Sequence, residues 1–123
     1  MLVGVSYGAA VSAAPATSTL NGSANGRAVR VHRGAEIVVT LHSTYWSFDH
    51  VGGKALKSLG RPVYDPAPKG ECVPGAGCGT VTARFRAESD GVTMIRAGRT
   101  SCGEALACAP SQRTFQVTVT VTR

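Results

Sequence analysis

The closing stretch Arg113–Thr122 reads RTFQVTVTVT. Phe115, Val117, Val119 and Val121 alternate there with Gln116, Thr118, Thr120 and Thr122. Successive side chains of an extended chain point to opposite faces, so this period of two describes a strand with one apolar and one polar face. The pattern recurs upstream. Thr80–Ala87 (TVTARFRA) sets Val81, Ala83, Phe85 and Ala87 against Thr82, Arg84 and Arg86. Ser89-Asp90-Gly91 reads as a hairpin turn, with Val92–Ala97 (VTMIRA) as the returning strand. Glu36–Leu41 (EIVVTL) aligns Ile37, Val39 and Leu41, and Arg27–Arg33 (RAVRVHR) aligns Val29 and Val31 before Gly34 ends it. Thr44–Phe48 (TYWSF) is aromatic and β-prone, and Trp46, the single tryptophan, is expected in the core.

Between these segments the chain is punctuated rather than periodic. Val51–Gly70 carries GG, RP and DPAP, with one short strand expected near Arg61–Tyr64. Thr17–Gly26 is a polar, turn-rich lead-in. No helical periodicity of useful length and no internal repeat is visible. Around seven short strands, with turn signals about ten residues apart, predict an all-β fold, an antiparallel sandwich whose two inner faces share one core. The 123 residues suffice for one domain. A hydrophobic fraction of 43% against 16% charged is globular and excludes a disordered chain. No apolar run reaches the roughly 18–20 residues of a membrane-spanning helix.

Residues 1–16 (MLVGVSYGAAVSAAPA) match the apolar and cleavage portions of a secretory signal, without the basic segment that precedes them. Val11-Ser12-Ala13 fits the small-x-small cleavage rule. A signal remnant or disordered tail is expected there, with the domain over 17–123. Cys72 and Cys78 stand six apart, as do Cys102 and Cys108. An even number of cysteines in a small, exported domain reads as disulfides. Spacing alone does not decide among the three connectivities; Cys72–Cys78 and Cys102–Cys108 are favoured, each closing a short Gly-containing loop, and the crossed pairings stay open if the two loops are neighbours. His32, His42 and His50 lack zinc-ligand spacing relative to the cysteines, so no metal and no other cofactor is expected. The protein is expected to be secreted or held in the cell envelope, and monomeric.

The formal charge is +6, with Arg30, Arg33, Arg84, Arg86, Arg96 and Arg99 on or beside strands. Nucleic-acid binding would call for stacking aromatics among the charges, and none are interleaved, so no nucleic acid is expected. Catalysis has little support. Ser43, His42 and Asp49 form a triad only on paper, because adjacent strand residues point to opposite faces. No Gly-x-Ser-x-Gly elbow is present, nor any phosphate-binding loop.

Three features resemble the chagasin family of cysteine-protease inhibitors. The first is Asn25-Gly26 followed by the Val29 and Val31 strand, Gly34 and an apolar strand ending at Leu41. The second is Gly75-Ala-Gly-Cys-Gly79 before a strand with inward Phe85. The third is Gly91, a strand leading to Arg99, a loop, and the closing strand with Phe115, Val117 and Val119. The resemblance spans about Thr19–Arg123 and implies an immunoglobulin-like sandwich whose binding loops lie at one end. It departs from the family at three places. The family's first loop, N-P-T-T-G, is shortened here to Ser43-Thr44-Tyr45. Cys78 replaces a glycine of the second loop. Thr100-Ser101-Cys102 replaces the Pro-aromatic that follows the family's Arg.

The resemblance implies a non-enzymatic binding module with Ser43, Thr44, Tyr45, Trp46, Gly75, Ala76, Gly77, Arg99 and Thr100 on its binding loops. Its partner would be a papain-like cysteine protease, blocked by occupancy of its cleft. The alternative is a structural or envelope-associated sandwich that holds a basic face against anionic polymer.

Overall fold

The computed structural model describes residues 16–68, 70, 72, 76–103 and 106–123. Eleven strands are found among them: β1 (Thr17–Leu20), β2 (Ala28–His32), β3 (Glu36–His42), β4 (Ser47–Phe48), β5 (Leu56–Ser58), β6 (Val63–Pro66), β7 (Gly79–Ala87), β8 (Gly91–Gly98), β9 (Ser101–Gly103), β10 (Leu106–Ala107) and β11 (Thr114–Thr122). One sheet runs β1-β3-β7-β5, with β6 also on the β5 side of β7. The second runs β2-β11-β8-β4, and β9 with β10 forms a small sheet of its own.

The alternating apolar sets face each other as their periodicity requires. Ile37, Val39, Leu41 and Val81 from the first sheet and Ile95, Phe115, Val117, Val119 and Val121 from the second are all under 2% exposed. Burying each such side chain stabilises the fold by about 1.5–3 kcal/mol, so the sandwich core rests on these two facing rows.

Three expectations are corrected in detail. The sheets are mixed: β1 pairs parallel to β3, and β2 parallel to β11. The chain achieves this by changing sheets between β1 and β2. A 3-10 turn at Gly22–Ala24, capped by the Asn21 side chain and seated by buried Ala24, makes the transfer. Asn25 Oδ1 then accepts the Gln116 N–H at 2.8 Å, fixing the start of β2 beside β11. Second, Ser89-Asp90-Gly91 is not a hairpin. β7 and β8 lie in different sheets, and the turn arches between them with Gly91 at φ 151 and Asp90 paired to Arg33 at 3.3 Å. Third, only Ser47 and Phe48 of the aromatic stretch are strand, and residues 43–46 form a turn.

Of the leader-like stretch 1–16, residues 1–15 lie outside the described residues. Ala16 accepts the Glu36 N–H at 3.0 Å, immediately before β1. Among the described residues no helix is long and apolar enough to cross a membrane.

Candidate functional site

Three connections meet at one end of the sandwich. The first, residues 43–46, carries the chain from β3 in one sheet to β4 in the other. The second joins β6 to β7, and the third joins β8 to β11. These are the segments expected to form a common edge; hydrogen bonds link the first to the second, and a ring contact of Arg99 on Trp46 links the third to the first.

The first loop begins at a strained residue. Ser43 has φ 102, the one positive φ outside glycine among the described residues. Holding a side chain there costs on the order of 1–3 kcal/mol, offset by surrounding bonds. Its N–H donates to the Gly79 carbonyl at 2.8 Å, and its Oγ accepts the Tyr45 N–H at 3.1 Å. The Thr44 N–H donates to the Gly77 carbonyl at 2.8 Å. The shortened loop is thus pinned against the second loop along its backbone. Tyr45 lies over Gly77, where a Cβ would collide with the ring, and Gly77 itself sits at φ 73. Glycine serves there for both reasons, the close ring and the left-handed backbone.

Trp46 is 8% exposed and joins the core. Its indole N–H donates to the His42 carbonyl at 2.9 Å, and its own carbonyl accepts the Tyr64 hydroxyl at 3.2 Å. Arg99, at the start of the third loop, places its guanidinium carbon 4.4 Å from the centroid of the Trp46 ring. Arg99 is further fixed through Nε–H to the Gln112 carbonyl at 2.9 Å and its backbone N–H to the Arg113 carbonyl at 3.0 Å. Trp46 is therefore the platform under the edge, and Ser43, Thr44, Tyr45, Ala76, Gly77 and Arg99 are half-buried around it, with Thr100 exposed. Gly75 lies outside the described residues.

Both disulfides brace this edge. Cys72 is bonded to Cys78 in the second loop, and Cys102 to Cys108 in the third. The Cys78 carbonyl accepts the Ala67 N–H at 3.2 Å, and the Cys108 N–H donates to the Thr100 carbonyl at 3.0 Å. No cysteine is left free. Among the described residues no group of three or more His, Cys, Asp and Glu is placed to hold a metal ion.

Sequence reasoning missed Tyr64, His42 and Gln112 as supports. Two of these contribute only a backbone carbonyl, which carries no signature in the side-chain pattern. Tyr64 could have been suspected as an aromatic in a strand next to the Gly-rich loop.

The arginines expected as a basic set do not share a face. Arg84 and Arg86 stand on the outer face of the first sheet, where Arg84 pairs with Glu36 at 2.7 Å and Arg86 with Glu88 at 3.6 Å. Arg30 and Arg96 stand on the outer face of the second, and Arg33 is engaged by Asp90. The paper triad does not assemble either. Ser43 Oγ accepts the Tyr45 N–H, and among the described residues no hydrogen bond or ion pair joins Ser43, His42 and Asp49.

No family model matches the chain, and no curated protein matches it significantly. Solved structures do. The fold is similar to that of the cysteine protease inhibitor EhICP2 from Entamoeba histolytica, with a TM-score of 0.61 at 13% identity, over 89% of this chain and 99% of that one. It is also similar to the solution structure of amebosin, with a TM-score of 0.58 at 19% identity, over 88% of this chain and 99% of that one. At such identities the likeness is one of fold. The β-sandwich read from the alternating segments therefore has solved counterparts over nearly its whole length.

Proposed function

We propose that this protein is a secreted inhibitor of papain-like cysteine proteases that works by occupancy and without chemistry of its own. The observation that carries the reading is the Arg99–Trp46 stack together with the Thr44 to Gly77 hydrogen bond, which lock three loops into one edge. A pre-ordered edge loses little entropy on binding, and loops on a rigid sandwich are a usual location for recognition. The strained Ser43 belongs to the same edge, and such strain clusters where function demands a fixed backbone. The fold shared with a protein described as a cysteine protease inhibitor supports the partner class. The two disulfides support an oxidising, extracellular compartment. The envelope alternative is disfavoured by the division of the arginines between opposite faces, half of them already in ion pairs.

Occupancy of the cleft has a direct test. A papain-like protease preincubated with the domain should be protected from alkylation of its nucleophilic thiol, and the domain should be recovered uncleaved. Alkylation at the uninhibited rate would overturn the proposal. Protection should persist at high salt, because loop insertion is short-ranged, whereas attachment to an anionic polymer would be lost.

A further inference from the structure

Two Asn-Gly steps, Asn21-Gly22 and Asn25-Gly26, stand at the two ends of the 3-10 turn that carries the chain between the sheets. Glycine after asparagine leaves the next backbone nitrogen unshielded by a side chain. That nitrogen is then able to attack the amide carbon of the asparagine side chain. The fold treats the two steps differently.

Asn25-Gly26 is tied down at both reacting groups. The Asn25 Oδ1 accepts the Gln116 N–H at 2.8 Å, and the Gly26 N–H donates to the Gln116 carbonyl at 2.7 Å. Attack there requires both bonds to β11 to open, which is a local unfolding event. Asn21-Gly22 carries neither constraint. Both residues are exposed, and a Cβ added to Gly22 would meet nothing within 4 Å. Gly22 opens the turn, so its N–H has no partner inside it. Among the described residues no other acceptor takes that N–H.

The Asn21 side chain is bent over this nitrogen. Its Oδ1 accepts the Ser23 N–H at 2.9 Å and the Ser23 hydroxyl at 2.6 Å, which carries Cγ alongside the intervening Gly22 nitrogen. Ring closure needs Cβ nearly eclipsed with that nitrogen, and Asn21 at ψ −168 is nearer to this than Asn25 at ψ 129. The two Ser23 donors also point at the oxygen on which charge develops during the attack, as the donors of an oxyanion hole do.

We infer that Asn21 is a modification site, at which the folded chain deamidates while Asn25 is protected. The Gly22 nitrogen gives its proton to solvent base and bonds to Asn21 Cγ. The Cγ–Nδ2 bond breaks, and Nδ2 takes up a proton and leaves as ammonia. One water molecule then opens the succinimide at either carbonyl, giving an aspartyl or an isoaspartyl residue. Either product places a carboxylate at this position and lowers the formal charge of +6 by one. The isoaspartyl product also adds a methylene to the main chain where it passes from β1 to β2.

The test incubates the oxidised full chain at physiological temperature and mildly alkaline pH, beside the same chain in denaturant. Fragmentation mass spectrometry of the tryptic peptide ending at Arg27 assigns the amide-to-acid mass change to either asparagine. In denaturant both steps should convert at similar rates. In the folded chain Asn21 should convert at least about tenfold faster than Asn25. Ser23→Ala should slow Asn21 in the folded chain and leave its rate in denaturant unchanged. Gly22→Ala, at a position with open space and no positive φ, should suppress conversion at Asn21 with the fold retained. An Asn21 that stays intact in the folded chain while the denatured chain converts would overturn the inference. So would an Asn25 that converts as fast as Asn21 in the folded chain.

Discussion

The guanidinium of Arg99 lies over the indole of Trp46, 4.4 Å from the ring centroid. The two residues belong to different loops, and their contact ties the third loop to the residue that bridges the two sheets. The indole is in turn bonded to the His42 carbonyl and buried in the core. Order in the edge is thus drawn from the sandwich itself.

Arg99→Ala removes this stack and the Nε–H bond to Gln112. Together these are worth about 1–3 kcal/mol. Thermal unfolding should report a loss of that size. The single tryptophan makes fluorescence a clean local probe, and its emission should shift on substitution. Arg99→Glu should abolish inhibition altogether. An Arg99→Ala variant with wild-type emission and wild-type Tm would show that the stack holds nothing in place.

Trp46→Phe keeps an aromatic ring in the core but a smaller one, which narrows the platform under Arg99 and leaves the His42 carbonyl without the indole N–H. An unsatisfied part-buried acceptor costs about 1–3 kcal/mol. Denaturant unfolding should show a lower midpoint with an unchanged slope, since the surface buried by the fold is the same.

Gly77 and Gly79 separate two kinds of crowding. A methyl at Gly77 meets the Tyr45 side chain, which can swing aside, so Gly77→Ala should cost about 1–3 kcal/mol, mostly from its φ of 73. A methyl at Gly79 meets the backbone of Asp65 and Pro66, which cannot move without breaking the β6–β7 pairing. Gly79→Ala should therefore be the more destabilising of the two in calorimetry. Gly77→Ala should weaken inhibition out of proportion to its stability loss, because it displaces Tyr45 from the edge.

Neither Cys72 nor Cys78 belongs to the apolar core. Closing so short a loop is worth roughly 2 kcal/mol on a chain-entropy estimate. The Cys72→Ser/Cys78→Ser variant should fold, retain the far-ultraviolet spectrum of a β protein, and lose stability of that order. Failure to fold would mean that the second loop supports the sandwich and not only its edge.

The strands that line the core were legible because each alternates over enough residues to declare its faces, as Thr114–Thr122 and Gly79–Ala87 do. The pairing partners were less legible. Ser89-Asp90-Gly91 suits a hairpin locally, but both edges of β7 are taken by β3 and by β5 with β6, and both edges of β8 by β11 and β4, so the turn becomes an arch between sheets. β1 was missed because Thr17–Leu20 has one apolar residue and takes its conformation from β3. The aromatic Thr44–Phe48 was read by propensity as strand, but Ser43 at φ 102 turns the chain there. In the candidate site, the three loops were found by their order along the chain. Their mutual contacts were not, since Arg99 on Trp46 and Thr44 on Gly77 join residues distant in sequence through geometry that only the closed sandwich creates.

The most direct measurement is a tight-binding titration of the oxidised domain against a panel of papain-like cysteine proteases. The account predicts stoichiometric inhibition of at least one of them at nanomolar concentrations, as befits a pre-ordered protease–inhibitor contact. Full protease activity at micromolar domain, with the Arg99–Trp46 edge shown intact by tryptophan fluorescence, would contradict it.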